Sequence, residues 1–254
     1  MHYTKQGNGT AVVLIHGFPF SGTIWNTIVA NLADEFTVIV PDLPGSGLSP
    51  LEKPVNIPEM AMGIKAILDF EKIDKAILVG HSMGGYIAFS FADQYPASVK
   101  GLSIVHSTPL ADDEEKIKNR KKIIDLINNG GKSIFIRQMI PNLFAQDFKQ
   151  KNGSIVEEIT ETALENKEAT LINYYNAMIS RKDYSDELMK YDFPMQWIMG
   201  MEDNILNYTK NLEKCIKSNI NFVLCYANCG HMSMIEKPEL LKTDLLRFFK
   251  YCNK

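Results

Sequence analysis

A serine lies in a glycine-rich turn that directly follows a short apolar stretch of the chain. The turn reads Gly80-His81-Ser82-Met83-Gly84-Gly85. Small residues on both sides allow a sharp turn from a buried strand into a helix, because a Cβ atom at those positions would clash. Such a turn exposes the serine hydroxyl at a helix N-terminus, where backbone N–H groups can stabilise a developing oxyanion. We therefore predict that Ser82 is a nucleophile and that the N–H of Met83 is an oxyanion donor.

A serine hydroxyl is a weak nucleophile until a neighbouring base removes its proton, so one of the five histidines must serve. Three of them are poorly placed, at the terminus, beside the serine or in a structural loop: His2, His81 and His16. His231 lies between the last predicted strand and the last predicted helix, from where it can reach over the carboxyl edge of a sheet. It is the predicted general base, and His106, which ends another strand on the same side, is the alternative.

Short apolar stretches bounded by Gly, Pro or Asp recur along the chain and are predicted to be strands. They are Ala11–His16, Thr37–Pro41, Ala76–Gly80, Gly101–His106, Pro194–Gly200 and Asn221–Ala227. Continuous apolar character indicates strands that are buried on both faces, as in a parallel sheet. Helical patterns alternate with them at Gly22–Ala33, Pro58–Phe70, Met83–Gln94, Tyr208–Lys217 and Pro238–Lys250. This alternation predicts an α/β fold with a mostly parallel, doubly wound sheet that helices cover on both faces.

The regular alternation is interrupted between His106 and Pro194. This stretch contains no convincing strand and shows four helical patterns: Asp112–Asn128, Ser133–Ile140, Ser154–Asn166 and Ala169–Arg181. We therefore predict a core domain formed by residues 1–108 and 192–254, with a helical cap, residues 109–191, inserted between two core strands.

The insertion carries more large apolar side chains than a small helical unit can hide from water. They are Phe135, Met139, Leu143, Phe144, Phe148, Tyr174, Tyr175 and Met178. We expect part of them to face the core domain and to roof a cavity, and packing within the cap is the alternative. The predicted substrate-binding residues are Phe18, Trp25, Phe144, Tyr175 and Met178.

Five motifs together resemble the α/β-hydrolase superfamily, specifically its small carboxylesterase-like members with a helical cap. They are His16-Gly17-Phe18-Pro19, Asp42-Leu43-Pro44-Gly45-Ser46-Gly47-Leu48-Ser49, the turn at Ser82, Gly200-Met201-Glu202-Asp203 and Gly230-His231. The resemblance covers essentially the whole chain. It implies that nucleophile, acid and histidine follow one another along the chain, and Ser82, Asp203 and His231 occur in that order.

The acid of this triad is predicted to be Asp203, which follows a strand end three residues after Gly200. Its carboxylate would fix the tautomer of the imidazole and stabilise the imidazolium that forms during attack. Some relatives place the acid after the preceding strand, and that arrangement would nominate Asp112 instead. The second oxyanion donor should be the N–H of Phe18, because Pro19 has no N–H to donate.

The resemblance and the triad together predict a serine hydrolase that cleaves a small, fairly apolar ester, thioester or lactone through an acyl-enzyme. Hydrolases and lyases of carbon–carbon bonds use the same triad and remain an alternative. A ligand receptor that keeps the triad but turns over slowly is a second alternative. No cofactor is expected, and the expected partner is a small-molecule substrate, with the chain either a monomer or a homodimer.

Composition excludes several other classes. The chain has 27 Lys and Arg against 30 Asp and Glu, a net charge of −3, which lacks the basic footprint of a nucleic-acid binder. No apolar stretch is long enough to span a bilayer, and the first residues lack the features of a secretory signal, so we expect a cytoplasmic protein.

The cysteines and the glycine-rich loop at 42–49 could indicate a metal or a phosphate site. The four cysteines, Cys215, Cys225, Cys229 and Cys252, are interpreted as free thiols. Cys225, Cys229 and His231 have metal-like spacing but lack a second Cys/His pair, so no metal is predicted. The loop lacks the Lys-Ser/Thr ending of a P-loop and is interpreted as a structural turn.

Overall fold

A mostly parallel sheet forms the centre of the molecule. The structure, a computed structural model, describes residues 1–206, 209, 212 and 221–254. The strands are β1 (Tyr3–Gln6), β2 (Ala11–Ile15), β3 (Thr37–Pro41), β4 (Ala76–His81), β5 (Val99–Val105), β6 (Met195–Gly200) and β7 (Asn221–Tyr226). Within the described residues these seven strands have the order β1-β3-β2-β4-β5-β6-β7. Every neighbouring pair is parallel except β1 with β3, which is antiparallel.

The apolar stretches of the sequence account for the buried strands. Every residue of β2 and of β4 is buried, because helices flank the sheet and the strands have no solvent-facing side. The α/β fold class and the mostly parallel, doubly wound sheet are confirmed. The predicted strands are all present, with ends that differ by at most two residues.

Strand β1 is absent from the prediction. Three of its four residues are exposed, and it pairs only with β3 at the edge of the sheet. An edge strand with one hydrogen-bonded side can be polar, so it leaves no apolar signal in the sequence.

The helices alternate with the strands and flank the sheet. They are α1 (Asn26–Ala33), α2 (Ile57–Phe70), α3 (Met83–Gln94), α4 (Glu114–Asn128), α5 (Lys132–Met139), α6 (Gln146–Lys151), α7 (Gly153–Leu164), α8 (Glu168–Ile179), α9 (Ser233–Glu236) and α10 (Pro238–Cys252). Helix α1 packs against α10, and α2 packs against α3. The side chains of Asn56 and Glu59 form a capping box that fixes the start of α2.

Helices α4 to α8 all lie between β5 and β6, where the sequence indicates an insertion. The insertion therefore contains five α-helices rather than the four predicted. The additional helix, α6, has six residues and none of them is buried. A helix of fewer than two turns without a buried face shows no apolar periodicity, which explains why it escaped prediction. The division into a core domain and a cap stays a prediction.

Two predictions fall in part or in full on the remaining residues. Apart from residues 209 and 212, the predicted helix Tyr208–Lys217 lies outside the described part of the chain, and so does Cys215. Among the described helices, none combines the length and the apolar character needed to cross a bilayer.

The parallel strands point their carboxyl ends toward one edge of the sheet. In open α/β sheets, ligands bind in the crevice at this edge. The residues that follow these strand ends include Phe18 after β2, Ser82 after β4, His106 after β5, Asp203 after β6 and His231 after β7.

Candidate active site

Ser82 joins strand β4 to helix α3 in a strained conformation. Its φ of 52° and ψ of −117° lie in a region that non-glycine residues rarely adopt. The backbone on both sides of the serine is held by hydrogen bonds: its N–H donates to the Val105 carbonyl at 3.0 Å, and Ser107 Oγ donates to the Ser82 carbonyl at 2.7 Å. The Ser82 side chain does not cap the helix, so its hydroxyl remains available for chemistry.

Close backbone contacts explain the small residues around this serine. A Cβ atom on Gly80 would lie 2.5 Å from the Gly84 carbonyl oxygen, and one on Gly84 would lie 2.3 Å from the Ile15 carbonyl oxygen. Neither distance is tolerable for a carbon atom, because backbone cannot yield as a flexible side chain can. Both glycines are therefore required for strand β2, strand β4 and helix α3 to approach one another.

His231 and Asp203 meet at the same sheet edge. His231 Nδ1 lies 2.6 Å from Asp203 Oδ2, and both side chains are almost completely buried. Asp203 Oδ1 accepts hydrogen bonds from the N–H groups of Ile205 and Leu206 at 2.8 and 3.0 Å. Burial by itself would raise the pKa of Asp203, but the neighbouring His231 and His106 outweigh it and hold that pKa well below its usual range. The carboxylate is therefore ionised and accepts a hydrogen bond from the Nδ1–H of His231, which leaves Nε2 of His231 as the basic nitrogen.

Asp112, the alternative acid, has other partners. Its Oδ2 lies 2.5 Å from Arg120 Nε, and its Oδ1 lies 2.8 Å from Arg181 Nη2. The structure thus brings Asp203 to His231 and places Asp112 in an ion pair with two arginines of the insertion.

Two further histidines pack around His231. The ring centre of His81 lies 5.1 Å from that of His231, and the ring centre of His106 lies 5.6 Å from it. His81 Nε2 is 2.9 Å from the His231 carbonyl, to which it donates, and His106 Nδ1 accepts the N–H of Gly200 at 3.1 Å. Burial lowers the pKa of both His81 and His106, so these rings are neutral near pH 7 and hold neighbouring backbone in place.

The predicted oxyanion donors flank the serine. Met83 is the first residue of α3, where the N–H groups of a helix lack intrahelical partners. On the other side, a Cβ atom on Gly17 would lie 2.9 Å from Ser82 Cβ, so the turn that carries Phe18 lies directly against the serine. The roles of the two N–H groups stay predictions.

The predicted substrate-binding residues occupy different surroundings. The Phe18 ring lies 4.8 Å from the ring of Tyr175, so these two come together, and Met178 is buried one turn along the same helix. Phe144 stacks on Phe148 at 5.4 Å, and Trp25 is fully buried with its ring edge-on to His81 at 6.3 Å. Whether these side chains bind substrate stays a prediction.

Comparison with known proteins places this geometry in a family. A solved structure of a thermophilic esterase from Thermogutta terrifontis (malate bound) superimposes with a TM-score of 0.94 and 25% identity, covering 100% of this chain and 94% of that one. Residues 10–125 match the family described as alpha/beta hydrolase fold. The chain belongs to the α/β-hydrolase superfamily.

Other relatives of this α/β-hydrolase differ in how much of their length they share with it. A pimeloyl-[acyl-carrier protein] methyl ester esterase from Legionella pneumophila is 27% identical over 259 residues, which cover 98% of this chain and 99% of the relative. An uncharacterized protein from Mycobacterium tuberculosis is 40% identical over 110 residues, which cover 42% of this chain. The α/β-hydrolase chain spans only 32% of the length of that second relative.

A buried glutamate of the α/β-hydrolase organises the histidine loop and was missed by the sequence reasoning. The Glu236 carboxylate accepts the N–H groups of Gly230 and Met232 at 3.0 Å and the N–H of Ala145 at 2.8 Å. The His231 N–H donates to the Leu143 carbonyl at 2.6 Å. A segment of the insertion thus holds the loop that carries His231. The only sequence signal was an acidic residue at the end of a short, mostly apolar stretch after the histidine.

Possible metal ligands of the α/β-hydrolase come together at the same place. Within the described residues, His106, Asp203 and His231 have ligand atoms within 4.8 Å of one another. One of these atoms, His106 Nδ1, already accepts the N–H of Gly200. Cys229 Sγ lies against Glu236, and burial raises the pKa of its thiol, which disfavours the thiolate that a metal needs.

We expect the α/β-hydrolase to lose stability as the pH falls from about 6.5 to about 4. His16 is fully buried, with its Nε2 accepting the Leu43 N–H at 3.0 Å, and burial lowers its pKa to about 4. Below pH 6.5 the unfolded chain takes up a proton that the folded chain refuses, so stability present above pH 6.5 is lost on acidification. The loss from His16 should be roughly 3 kcal/mol, and His81 and His106 act in the same direction.

Urea unfolding at pH 7.5 and pH 5 measures about 2 kcal/mol of this loss, because the remainder falls between pH 5 and pH 4. His16→Gln should show a smaller pH dependence than wild type, because glutamine cannot take up the proton. Equal free energies of unfolding at the two pH values would contradict the expectation.

Proposed function

We propose that the chain is a serine hydrolase that cleaves small, fairly apolar carboxylic esters, thioesters or lactones through an acyl-enzyme. The observation that carries this proposal is the 2.6 Å contact between His231 Nδ1 and Asp203 Oδ2, at the sheet edge where Ser82 turns into α3. The two esterases among the relatives, from Legionella pneumophila and Thermogutta terrifontis, support ester chemistry.

In the acylation half of the reaction, His231 Nε2 removes the proton from Ser82 Oγ as that oxygen attacks the carbonyl carbon. Negative charge moves onto the carbonyl oxygen, where the N–H groups of Phe18 and Met83 donate hydrogen bonds to it. The tetrahedral intermediate collapses when the protonated His231 gives its proton to the leaving alkoxide, thiolate or lactone oxygen. Ser82 then carries the acyl group as an ester.

In the second half, water attacks the acyl-enzyme and His231 takes the proton of that water. Collapse of the second tetrahedral intermediate breaks the bond to Ser82 Oγ, which recovers its proton from His231, and the acid product leaves. Asp203 remains ionised throughout, because its depressed pKa keeps the carboxylate as the partner of the imidazolium.

The test is labelling by a fluorophosphonate probe, which phosphonylates an activated serine. We expect a single adduct, located on Ser82 by peptide mass spectrometry, because Ser82 lies in the strained turn at the same sheet edge as His231. Ser82→Ala should abolish labelling, and Ser180→Ala, which removes an exposed serine at the end of α8, should label as wild type.

Turnover of p-nitrophenyl esters, acyl-CoA thioesters and lactones should accompany the labelling. Repeated turnover separates an enzyme from a receptor that reacts once with its ligand. The proposal is wrong if folded Ser82→Ala labels at the wild-type rate, or if wild type labels but hydrolyses none of the three substrate classes.

A further inference from the structure

Two arginines and one carboxylate form a buried ion cluster beside the candidate active site. Arg120 on α4 and Arg181 after α8 both contact Asp112, at 2.5 and 2.8 Å. The nearby carboxylate of Asp183 is exposed and accepts the N–H of Ala111 instead. Asp112 thus shares its carboxylate between two guanidinium groups, and Asp183 interacts electrostatically with Arg181.

The two arginines differ in how many of their donors are used. Arg181 is 2% exposed, and all three of its side-chain nitrogens donate hydrogen bonds to carbonyl oxygens. Its Nε and Nη2 donate to Leu110, and its Nη1 donates to Met178. Arg120 is 19% exposed, and among the described residues only its Nε has a hydrogen-bond partner, which is Asp112. The two Nη groups of Arg120 are therefore available to an incoming acceptor.

The Tyr175 ring links Arg120 to Phe18, which carries the predicted oxyanion donor. The guanidinium carbon of Arg120 is 5.3 Å from the centre of the Tyr175 ring, and that ring is 4.8 Å from the Phe18 ring. Tyr86, one turn after Ser82 on α3, also belongs to these surroundings, with the Arg181 guanidinium 4.0 Å from its ring centre. Burial opposes the charge of Arg120, but Tyr86 and Asp112 outweigh it and raise the pKa of the guanidinium.

We propose that Arg120 is an anion-binding residue of the acyl pocket, and that the preferred substrates are esters whose acyl chain carries a second, free carboxylate. The planar guanidinium can donate from both Nη groups to the two oxygens of one carboxylate. The contact of this guanidinium with Tyr175 and its hydrogen bond to Asp112 fix the orientation of its plane before substrate binds. The inference rests on the proposed function, because it names the substrate class of the same site.

The experiment compares two ester series that differ only in the terminal carboxylate. One series is the monomethyl esters of succinic, glutaric and adipic acid, and the other is methyl butyrate, pentanoate and hexanoate. We expect wild type to show a kcat/KM at least about tenfold higher for one or more of the monomethyl diacid esters than for the neutral ester of equal length. The optimum length reports the distance from Ser82 to Arg120.

Variants of Arg120 identify the residue responsible. Arg120→Met should lower kcat/KM for the preferred diacid ester by about 10- to 100-fold more than it lowers kcat/KM for the neutral ester of equal length, and Arg120→Lys should restore part of this difference. The matched control is Arg137→Met, which removes an exposed arginine of α5 that pairs with Glu157 and Glu161. It should leave both series unchanged.

A measurement on wild type covers the case in which Arg120→Met does not fold. Adipate should then inhibit hydrolysis of methyl hexanoate at least about tenfold more tightly than hexanoate does. The inference is overturned if neutral esters turn over through Ser82 while wild type shows no preference for the diacid series, or if Arg120→Met lowers both series equally. If neither series is hydrolysed and the fluorophosphonate does not label Ser82, the proposed function itself has failed.

Discussion

Replacing His231 with Gln is expected to lower kcat for a neutral ester by about 10⁶-fold, comparable to the loss of the base in other serine hydrolases. An amide nitrogen cannot take the proton of Ser82 Oγ, so only the oxyanion donors and substrate binding would remain to accelerate the reaction. Steady-state hydrolysis of p-nitrophenyl butyrate, supplemented by single-turnover measurements for the slow variant, gives the ratio.

The matched control is His106→Gln. His106 is the alternative base that the sequence offered, and a glutamine amide oxygen could still accept the Gly200 N–H that His106 Nδ1 accepts now. We expect this variant to retain most of the wild-type kcat. A large loss of kcat in His106→Gln, together with a His231→Gln variant that remains active, would identify His106 rather than His231 as the general base.

Asp203→Asn is expected to lower kcat for the same neutral ester by about 10⁴-fold. An asparagine can donate its NH₂ to His231 Nδ1, which would place the imidazole proton on Nε2, where a base must be unprotonated. Loss of the carboxylate also removes the charge that stabilises the imidazolium, so the effect should fall on kcat more than on KM.

The control for this prediction is Asp112→Asn, the other acid that the sequence offered. Asp112 contacts Arg120 and Arg181 rather than His231, so its loss should lower the thermal stability but leave kcat for a neutral ester close to wild type. Both variants should be assayed well below their melting temperatures. A 10⁴-fold loss in Asp112→Asn with an active Asp203→Asn would identify Asp112 as the acid.

The fold was accessible from the sequence because its central strands are buried on both faces. Continuous apolar stretches such as Ala11–Ile15 leave a strong signal, and the turn at Ser82 is local, since its glycines and serine are adjacent in the chain. The polar edge strand Tyr3–Gln6 and the exposed helix Gln146–Lys151 left no such signal, because neither presents a buried face.

The sequence could not predict those features of the site that depend on polar contacts between residues far apart in the chain. Asp112 and Asp203 both follow strands in the sequence, and nothing local separates them. What separates them is the position of Arg181, 69 residues beyond Asp112, and of His231, 28 residues beyond Asp203. Glu236 is a similar case, since its value to the site depends on the N–H of Ala145, 91 residues away.

The contacts from residues 143 and 145 to the histidine loop limit how this chain can be recombined with its relatives. Exchanging residues 109–191 for the equivalent segment of another member would replace the partners of the His231 N–H and of the Glu236 carboxylate. A graft chosen for a new substrate range would therefore also change the placement of His231, the proposed general base. The insertion and the loop at 229–236 depend on each other's contacts, so a chimera should take both segments from the same parent protein.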